Sequence, residues 1–350
     1  TQQSNRMCFG LIRRPKNMHR LHGLQLLRAF AAISVLIGHT IAEAEHYLDQ
    51  SLYLNVIPWT RGVDLFFVIS GFIITLSAQR FENRPITFLW RRLLRVAPLY
   101  YGFTTLMVIT ILILPGATKD AGFDLGQIFS SYAFLPFERS DGRIAPVLSL
   151  GWTLNYEVFF YVLCAVSLGL HQSLIPVIAM FIALSTLGLC LQFNSPTWIF
   201  WTNPIVIEFL FGILLAKAYS ARLLRPHRRL SGFVFVIGLI LLLGLTQTTW
   251  PRFITAGVPA AVMVFAGTLL YPNTLSKIEI LGDASYALYL SHRFVLRATT
   301  FVVLPFLAPT QLGVVIYAIL TSLLAIATYV FVHLWLEKPL SSHINRMAHS

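Results

Sequence analysis

The sequence predicts an all-α integral membrane protein of about ten transmembrane helices, with the N and C termini both cytoplasmic. Three observations lead there. Charged residues make up only 11% of the 350, against about a quarter in a water-soluble domain. Apolar residues make up 56% and gather in runs of about 20, the length a helix needs to cross the hydrocarbon core. The Lys and Arg residues fall mainly in alternate connections between those runs, as the positive-inside rule requires. Runs this uniform select helices, because a spanning segment must satisfy its own backbone groups and the strands of a barrel would alternate.

Taken in order, the spans are 24–45, 62–79, 97–115, 151–170, 173–192, 198–219, 231–247, 254–271, 284–305 and 312–336. The first follows a basic tail and is interrupted in its apolar part only by Arg28 and His39. The second opens GVDLFFVISGFII between Arg61 and Arg80, and the third follows the Arg91, Arg92 and Arg95 cluster. The fourth begins WTLNYEVFFY, the fifth carries no charge, and the sixth has Lys217 in its last turn. The seventh follows Arg228 and Arg229, and the eighth lies between Arg252 and Lys277. The ninth contains SYALYLSHRFVLR, and the tenth runs into the closing WLEKP. Residues 1–20 and 341–350 read as cytoplasmic tails around a transmembrane domain of residues 21–340.

With the N-terminus inside, 18 of the 26 Lys and Arg lie in inward segments, five lie outside and three within spans. The net charge of +12 is thereby explained by topology and phosphate handling, and nucleic acid is not expected as a partner. Cys8, Cys164 and Cys190 are too few and too scattered for a disulfide framework, and no metal site is expected. The first 20 residues lack the apolar core of a cleaved signal, so a first residue of Thr points to processing, with Met7 or Met18 as candidate starts. The outward stretch 116–150 interleaves aromatics such as Phe129 and Tyr132 with Asp120, Asp124, Glu138 and Asp141. It reads equally as a sugar platform and as an interfacial amphipathic segment.

Titratable groups inside a span are costly and point to function. Arg28 and His39 are eleven residues apart, which is three turns plus about 20° and a rise of about 16 Å, so they share one face of the first helix. Asp64, near the outer end of a helix running the other way, lies at a depth comparable to His39. Glu157 enters from the same side, and the three groups are expected to converge. Each has a plainer reading as well: Arg28 as a snorkelling anchor, His39 as a packing histidine, Asp64 as a charge favoured by a helix N-terminus. His292, Arg293 and Arg297 make either a donor-lined path or pairs with acids elsewhere. Arg91 and Arg95, one helical turn apart, offer planar forks for phosphate, or simply anchor the chain inside.

In order, LRAFAAISVLIGH, GVDLFFVISGFII, RRLLRVAPLYY, SLGWTLNYEVFFY, LGDASYALYLSH and WLEKP resemble the membrane-bound acyltransferase-3 family over nearly the whole chain. The lone transmembrane domain is most similar to the bacterial exopolysaccharide and O-antigen O-acetyltransferases. The resemblance implies a multi-pass protein of the bacterial inner membrane that moves an acyl group, most often acetyl, from cytoplasmic acyl-CoA to a hydroxyl of an extracytoplasmic or lipid-linked glycan. It implies His39 as the essential histidine, Arg28 as its motif partner, Arg92 and Arg95 as the Arg-x-x-Arg pair, and Glu157 as the motif acid. NYE stands here where many members read VEE, so Tyr156 replaces an acidic neighbour.

On this reading no cofactor is permanently bound, and acetyl-CoA is the donor substrate. Arg28, Arg91, Arg92 and Arg95 would hold its phosphates while the neutral pantetheine arm threads past His292 toward His39. His39 would act as general base, with Asp64 or Glu157 orienting its ring, and Trp152 and Tyr156 would grip the sugar. Two alternatives stand at this stage: a covalent acetyl-histidine, and a multi-span transporter or lipid-linked sugar flippase, which would also carry intramembrane charges.

Overall fold

A computed structural model describes residues 21–54, 57–81, 83–114, 116, 118, 122–171, 173–270 and 279–340. The expected tails, Cys8, Lys119, Asp120 and Lys277 lie outside the described residues. The helices are α1 His22–Leu48, α2 Gly62–Ala78, α3 Pro85–Ile113, α4 Leu125–Tyr132, α5 Trp152–His171, α6 Ile175–Cys190, α7 Pro196–Trp201, α8 Ile207–Ser220, α9 Arg228–Leu245, α10 Val258–Thr268, α11 Glu279–Asp283, α12 Ser285–Val302 and α13 Gln311–Val332. No strand forms among the described residues beyond one isolated bridge, Glu138 to Ile144.

Local chemistry sets several boundaries. Asp49 ends α1 in the left-handed conformation, φ 50°. Pro85 and Pro196 occupy first-turn positions, where a missing N–H costs nothing. Asp124 caps α4 by accepting from the Gln127 amide, and Thr310 caps α13 by accepting from Gly313.

Seven helical stretches are long and apolar enough to cross a membrane: His22–Leu48, Trp59–Ala78, Pro85–Ile113, Ser149–His171, Pro196–Ser220, Arg228–Leu245 and Gln311–Leu340. The expected fifth and eighth spans form the shorter apolar helices Ile175–Cys190 and Phe253–Thr268. The expected ninth is α12, whose His292, Arg293 and Arg297 lower its hydropathy.

The helix at the centre is α2. Of its span, 78% is buried, against 28% for α3 and α13 and 17% for α9, which present apolar side chains outward. It packs most closely against α8. A Cβ on Gly71 would sit 2.2 Å from the Phe209 carbonyl oxygen, and one on Gly212 would sit 2.2 Å from the Val68 oxygen. The two backbones therefore touch through paired glycines, a close approach that favours association of helices in lipid. Gly212→Val is expected to force the helices apart and lower stability by about 1–3 kcal/mol. Denaturation of the purified protein in detergent measures this; an unchanged midpoint would refute the close contact.

Candidate active site

The apolar seam between α1 and α12 includes Ala32 and Leu36 on one helix and Leu288 and Leu296 on the other. It sets the register that brings His39 against His292. His39 Nδ1 lies 2.9 Å from His292 Nε2, with the rings nearly parallel at 11° and their centroids 5.2 Å apart. His292 Nδ1 lies 3.0 Å from the carbonyl oxygen of Leu288. A carbonyl only accepts, so His292 Nδ1 carries a proton and donates it. With both rings neutral, His292 Nε2 must then accept, and His39 Nδ1–H donates to it. The lone pair of His39 is left on Nε2, the nitrogen a base would use. His292 is buried and His39 only partly so, which leaves the outer ring reachable.

A narrow cavity of about 90 Å³ runs beside α2. At one end it meets Arg28, Arg92, Arg95, Glu157 and Tyr161; at the other, Val63, Phe66 and Tyr289. Val63 and Ile74 both line it, so it follows α2 for eleven residues, about 16 Å. Arg28 is buried there rather than snorkelling. Glu157 accepts hydrogen bonds from Tyr161 (2.5 Å) and Ser70 (3.1 Å), which fix a carboxylate among the three guanidinium groups. Arg91 does not line the cavity. It lies over the Phe81 ring at 5.4 Å, so the cavity-facing pair on α3 is Arg92 and Arg95, at i,i+3 spacing, rather than Arg91 and Arg95. Tyr289, one turn before His292, donates to the Leu150 carbonyl (3.0 Å) and accepts from Thr153 (3.1 Å), joining this cavity to the imidazole pair.

The expected convergence of Asp64 and Glu157 on His39 does not occur. Asp64 is fully buried and bound by both forks of Arg252, Nε at 2.8 Å and Nη2 at 2.9 Å. This leaves its oxygens committed elsewhere, and the ring of His39 is oriented by His292 instead. Trp152 and Tyr156 do not line this narrow cavity. Tyr156 stacks on Phe200 with centroids 4.0 Å apart and donates to the Phe200 carbonyl at 2.8 Å, while Trp152 lies edge-on to Phe67 and 5.9 Å below the Arg252 guanidinium. Both side chains take part in the aromatic packing around Phe67 and Phe200.

Glu208 is not among the residues singled out from the sequence; it is fully buried on α8, near Asp64, with no hydrogen-bond donor to either oxygen among the described residues. An acid inside the apolar run IEFLFGILL is the same signal that singled out Asp64 and would have found it. Arg252 was placed in an outer connection, and nothing local indicated its partner.

A second cavity, of about 260 Å³, lies between the far end of α3, the stretch before α5, and α12. Arg139, Arg293 and Arg297 line it. Arg297 donates to Glu43 at 2.9 Å, the acid-paired alternative for that residue. In the adjoining stretch, Phe123 and, on α4, Phe129 are exposed, whereas Phe134 is buried against Tyr100.

These features define a multi-pass membrane protein in which His292 of the imidazole pair lies in the chain between Tyr289 of one cavity and Arg293 of the other. The chain belongs to the acyltransferase-3 family: residues 21–330 match its acyltransferase domain. It is similar to exopolysaccharide production protein ExoZ of Rhizobium meliloti (strain 1021), 34% identical over 242 residues, covering 67% of this chain and 75% of that protein. It is also similar to acyltransferase MdmB of Streptomyces mycarofaciens, 26% identical over 324 residues, 81% of each chain. O-acetyltransferase OatA of Staphylococcus aureus (strain NCTC 8325 / PS 47) is 26% identical over 366 residues, 91% of this chain and 57% of that one. No solved structure matches the chain.

Proposed function

We propose that this protein transfers an acyl group, most often acetyl, from cytoplasmic acyl-CoA to a hydroxyl of an extracytoplasmic or lipid-linked glycan, as a multi-pass protein of the bacterial inner membrane with both termini cytoplasmic. The observation that carries the reading is the narrow cavity running from the Arg28, Arg92 and Arg95 cluster to the wall that holds the imidazole pair. CoA is a polyanion that hydrocarbon excludes, but its pantetheine arm is slender and neutral. A volume of about 90 Å³ is well below the several hundred Å³ that houses a whole drug-sized ligand, so the cavity suits an arm rather than a nucleotide. The arginines keep the phosphates at the cytoplasmic mouth with planar, charge-assisted hydrogen bonds.

In the reaction, the acceptor hydroxyl oxygen attacks the thioester carbonyl while His39 Nε2 takes the hydroxyl proton. The C–O bond forms, the C–S bond breaks, and the proton passes from the imidazolium to the thiolate, so the products are an ester and free CoA. His292 holds the tautomer of His39 and shares the charge that develops on it. Glu157 keeps the arginine end of the cavity from being uniformly cationic, which would repel the guanidinium groups from one another.

Transfer of label from acetyl-CoA to a glycan acceptor by the purified protein in proteoliposomes is the direct test, and absence of label in every glycan offered would overturn the reading. Changing Arg92 and Arg95 together to Ala is expected to weaken CoA binding roughly tenfold or more, since each charged hydrogen bond is worth about 1.5–3 kcal/mol. Titration of the protein with CoA measures this; an unchanged affinity rejects the clamp.

A further inference from the structure

We propose that the cavity lined by Arg139, Arg293 and Arg297 is the acceptor subsite, and that it selects a glycan carrying an anionic oxygen group, a carboxylate or a phosphate, set against Arg293. The inference rests on the transfer reaction proposed above and adds to it the chemical class of the acceptor.

Position is the first argument. The donor cavity meets α3 at Arg92, Arg95 and Val96, and the second cavity meets the same helix at Met107, Thr110 and Leu114. Val96 and Met107 are eleven residues apart, a rise of about 16 Å, so the two cavities open toward opposite ends of the bundle. They share a wall. Thr153 and Tyr289 line the donor cavity, Ser149 and Arg293 line the other, and Leu150 and His292 lie between them in the chain. The imidazole pair therefore stands where an acyl group from one side meets a hydroxyl from the other.

Charge is the second argument. Arg297 is matched by Glu43, with Nη1 to Oε1 at 2.9 Å, and also donates to the Tyr47 hydroxyl at 2.8 Å. Arg139 Nη2 lies 3.4 Å from Asp141 Oδ2. The same carboxylate accepts from Arg143 Nε (2.9 Å) and Nη2 (2.6 Å), contacts that hold its pKa below the ordinary value and keep it anionic. Arg293, one residue from His292, has no carboxylate partner among the described residues. Among the described residues, Arg139 and Arg297 each face a carboxylate, whereas Arg293 lines the cavity facing none. A cation facing a cavity of about 260 Å³ at the edge of the membrane is costly without a counter-charge. An acceptor anion supplies one, and a planar guanidinium binds carboxylate or phosphate through two parallel hydrogen bonds.

Carboxylate and phosphate come from different sources: an acidic sugar in the glycan itself, or the diphosphate of an isoprenoid carrier. The test uses the full-length protein in detergent, titrated with methyl glucuronide, farnesyl diphosphate and uncharged methyl glucoside. One of the two anionic probes is expected to bind at least tenfold more tightly than methyl glucoside, and which one does so identifies the source. Arg293→Gln should remove that preference while leaving CoA affinity unchanged, and Arg293→Lys should retain part of it and become more sensitive to salt. Equal binding of the charged and uncharged probes, or a preference that Arg293→Gln leaves intact, overturns the proposal. Because these are binding measurements, they stand apart from the proposed chemistry. Anion preference without acyl transfer would defeat the transferase reading alone, and transfer to an anionic acceptor undiminished in Arg293→Gln would defeat this inference alone.

Discussion

Replacing His39 with Ala is expected to lower kcat for acetyl transfer by about a thousandfold, within the range that a positioned general base contributes. The Michaelis constant for acetyl-CoA should barely move, because the arginine end of the donor cavity is untouched. The hydrogen-bond chain makes a second, graded expectation. The Leu288 carbonyl fixes the proton on His292 Nδ1, so His292 Nε2 can only accept from His39 Nδ1–H while the rings are neutral. Removing that acceptor in His292→Ala frees the His39 ring to rotate and to place its proton on Nε2, which disables the base without deleting it. The expected loss is about ten- to a hundredfold, the usual scale for a group that orients a catalytic ligand. His292→Gln supplies a carbonyl oxygen as acceptor and should recover part of it. Equal activity of His39→Ala and the unaltered protein would remove His39 from the chemistry. Equal losses in His39→Ala and His292→Ala would make the two rings a single unit rather than a base and its orienter. Detection of acetyl-enzyme in the absence of acceptor would replace direct transfer with a covalent route.

How much of this was legible beforehand follows from the distance in sequence over which each feature is decided. The helices announce themselves locally: apolar runs of about 20 residues, breaks at Arg clusters, Pro at first-turn positions. The shared face of Arg28 and His39 is equally local, a matter of eleven residues on one helix. The partners are not. His39 and His292 are 253 residues apart, and Asp64 and Arg252 are 188 apart. Which acid faces which base depends on the rotation of each helix about its axis, and that rotation is set by contacts such as the Gly71 and Gly212 crossing. Helix arithmetic gives Asp64 a depth beside His39 and says nothing of azimuth. Tyr156 misled for a related reason. An aromatic next to a motif acid fits a sugar platform and a packed core equally well in one dimension, and only the stacking on Phe200 separates them. The ninth span shows the converse. Its charges read as a donor-lined path or as pairs with acids elsewhere, and the helix divides them by face: His292 turns to the imidazole pair, while Arg293 and Arg297, four residues apart, share the outer cavity.

Asp64 provides the sharpest separation of stability from chemistry. Its carboxylate is fully buried and its only charged hydrogen bonds in the described structure run to Arg252, whose side chain remains 35% exposed. Removing the two partners should therefore have unequal effects. Arg252→Ala strands Asp64, with the buried Glu208 nearby, and an unpaired buried charge costs about 3–5 kcal/mol when its partner is deleted. Asp64→Asn instead leaves a guanidinium that can reach water, and its cost should be smaller by 1 kcal/mol or more, since an exposed cation is readily solvated. The double variant, Arg252→Ala with Asp64→Asn, should regain much of what the arginine deletion lost, because the stranded charge is gone. Denaturation midpoints of the three proteins in one detergent measure all of this, and additive effects in the double variant would refute a direct coupling. Activity adds the decisive comparison. If Asp64 serves the ion pair and not the imidazole, Asp64→Asn that remains folded should keep its kcat within about tenfold of the unaltered protein, whereas a residue orienting the base would follow the larger losses known for catalytic carboxylates. A loss as deep as that of His39→Ala, in protein with an unshifted midpoint, would return Asp64 to the reaction centre.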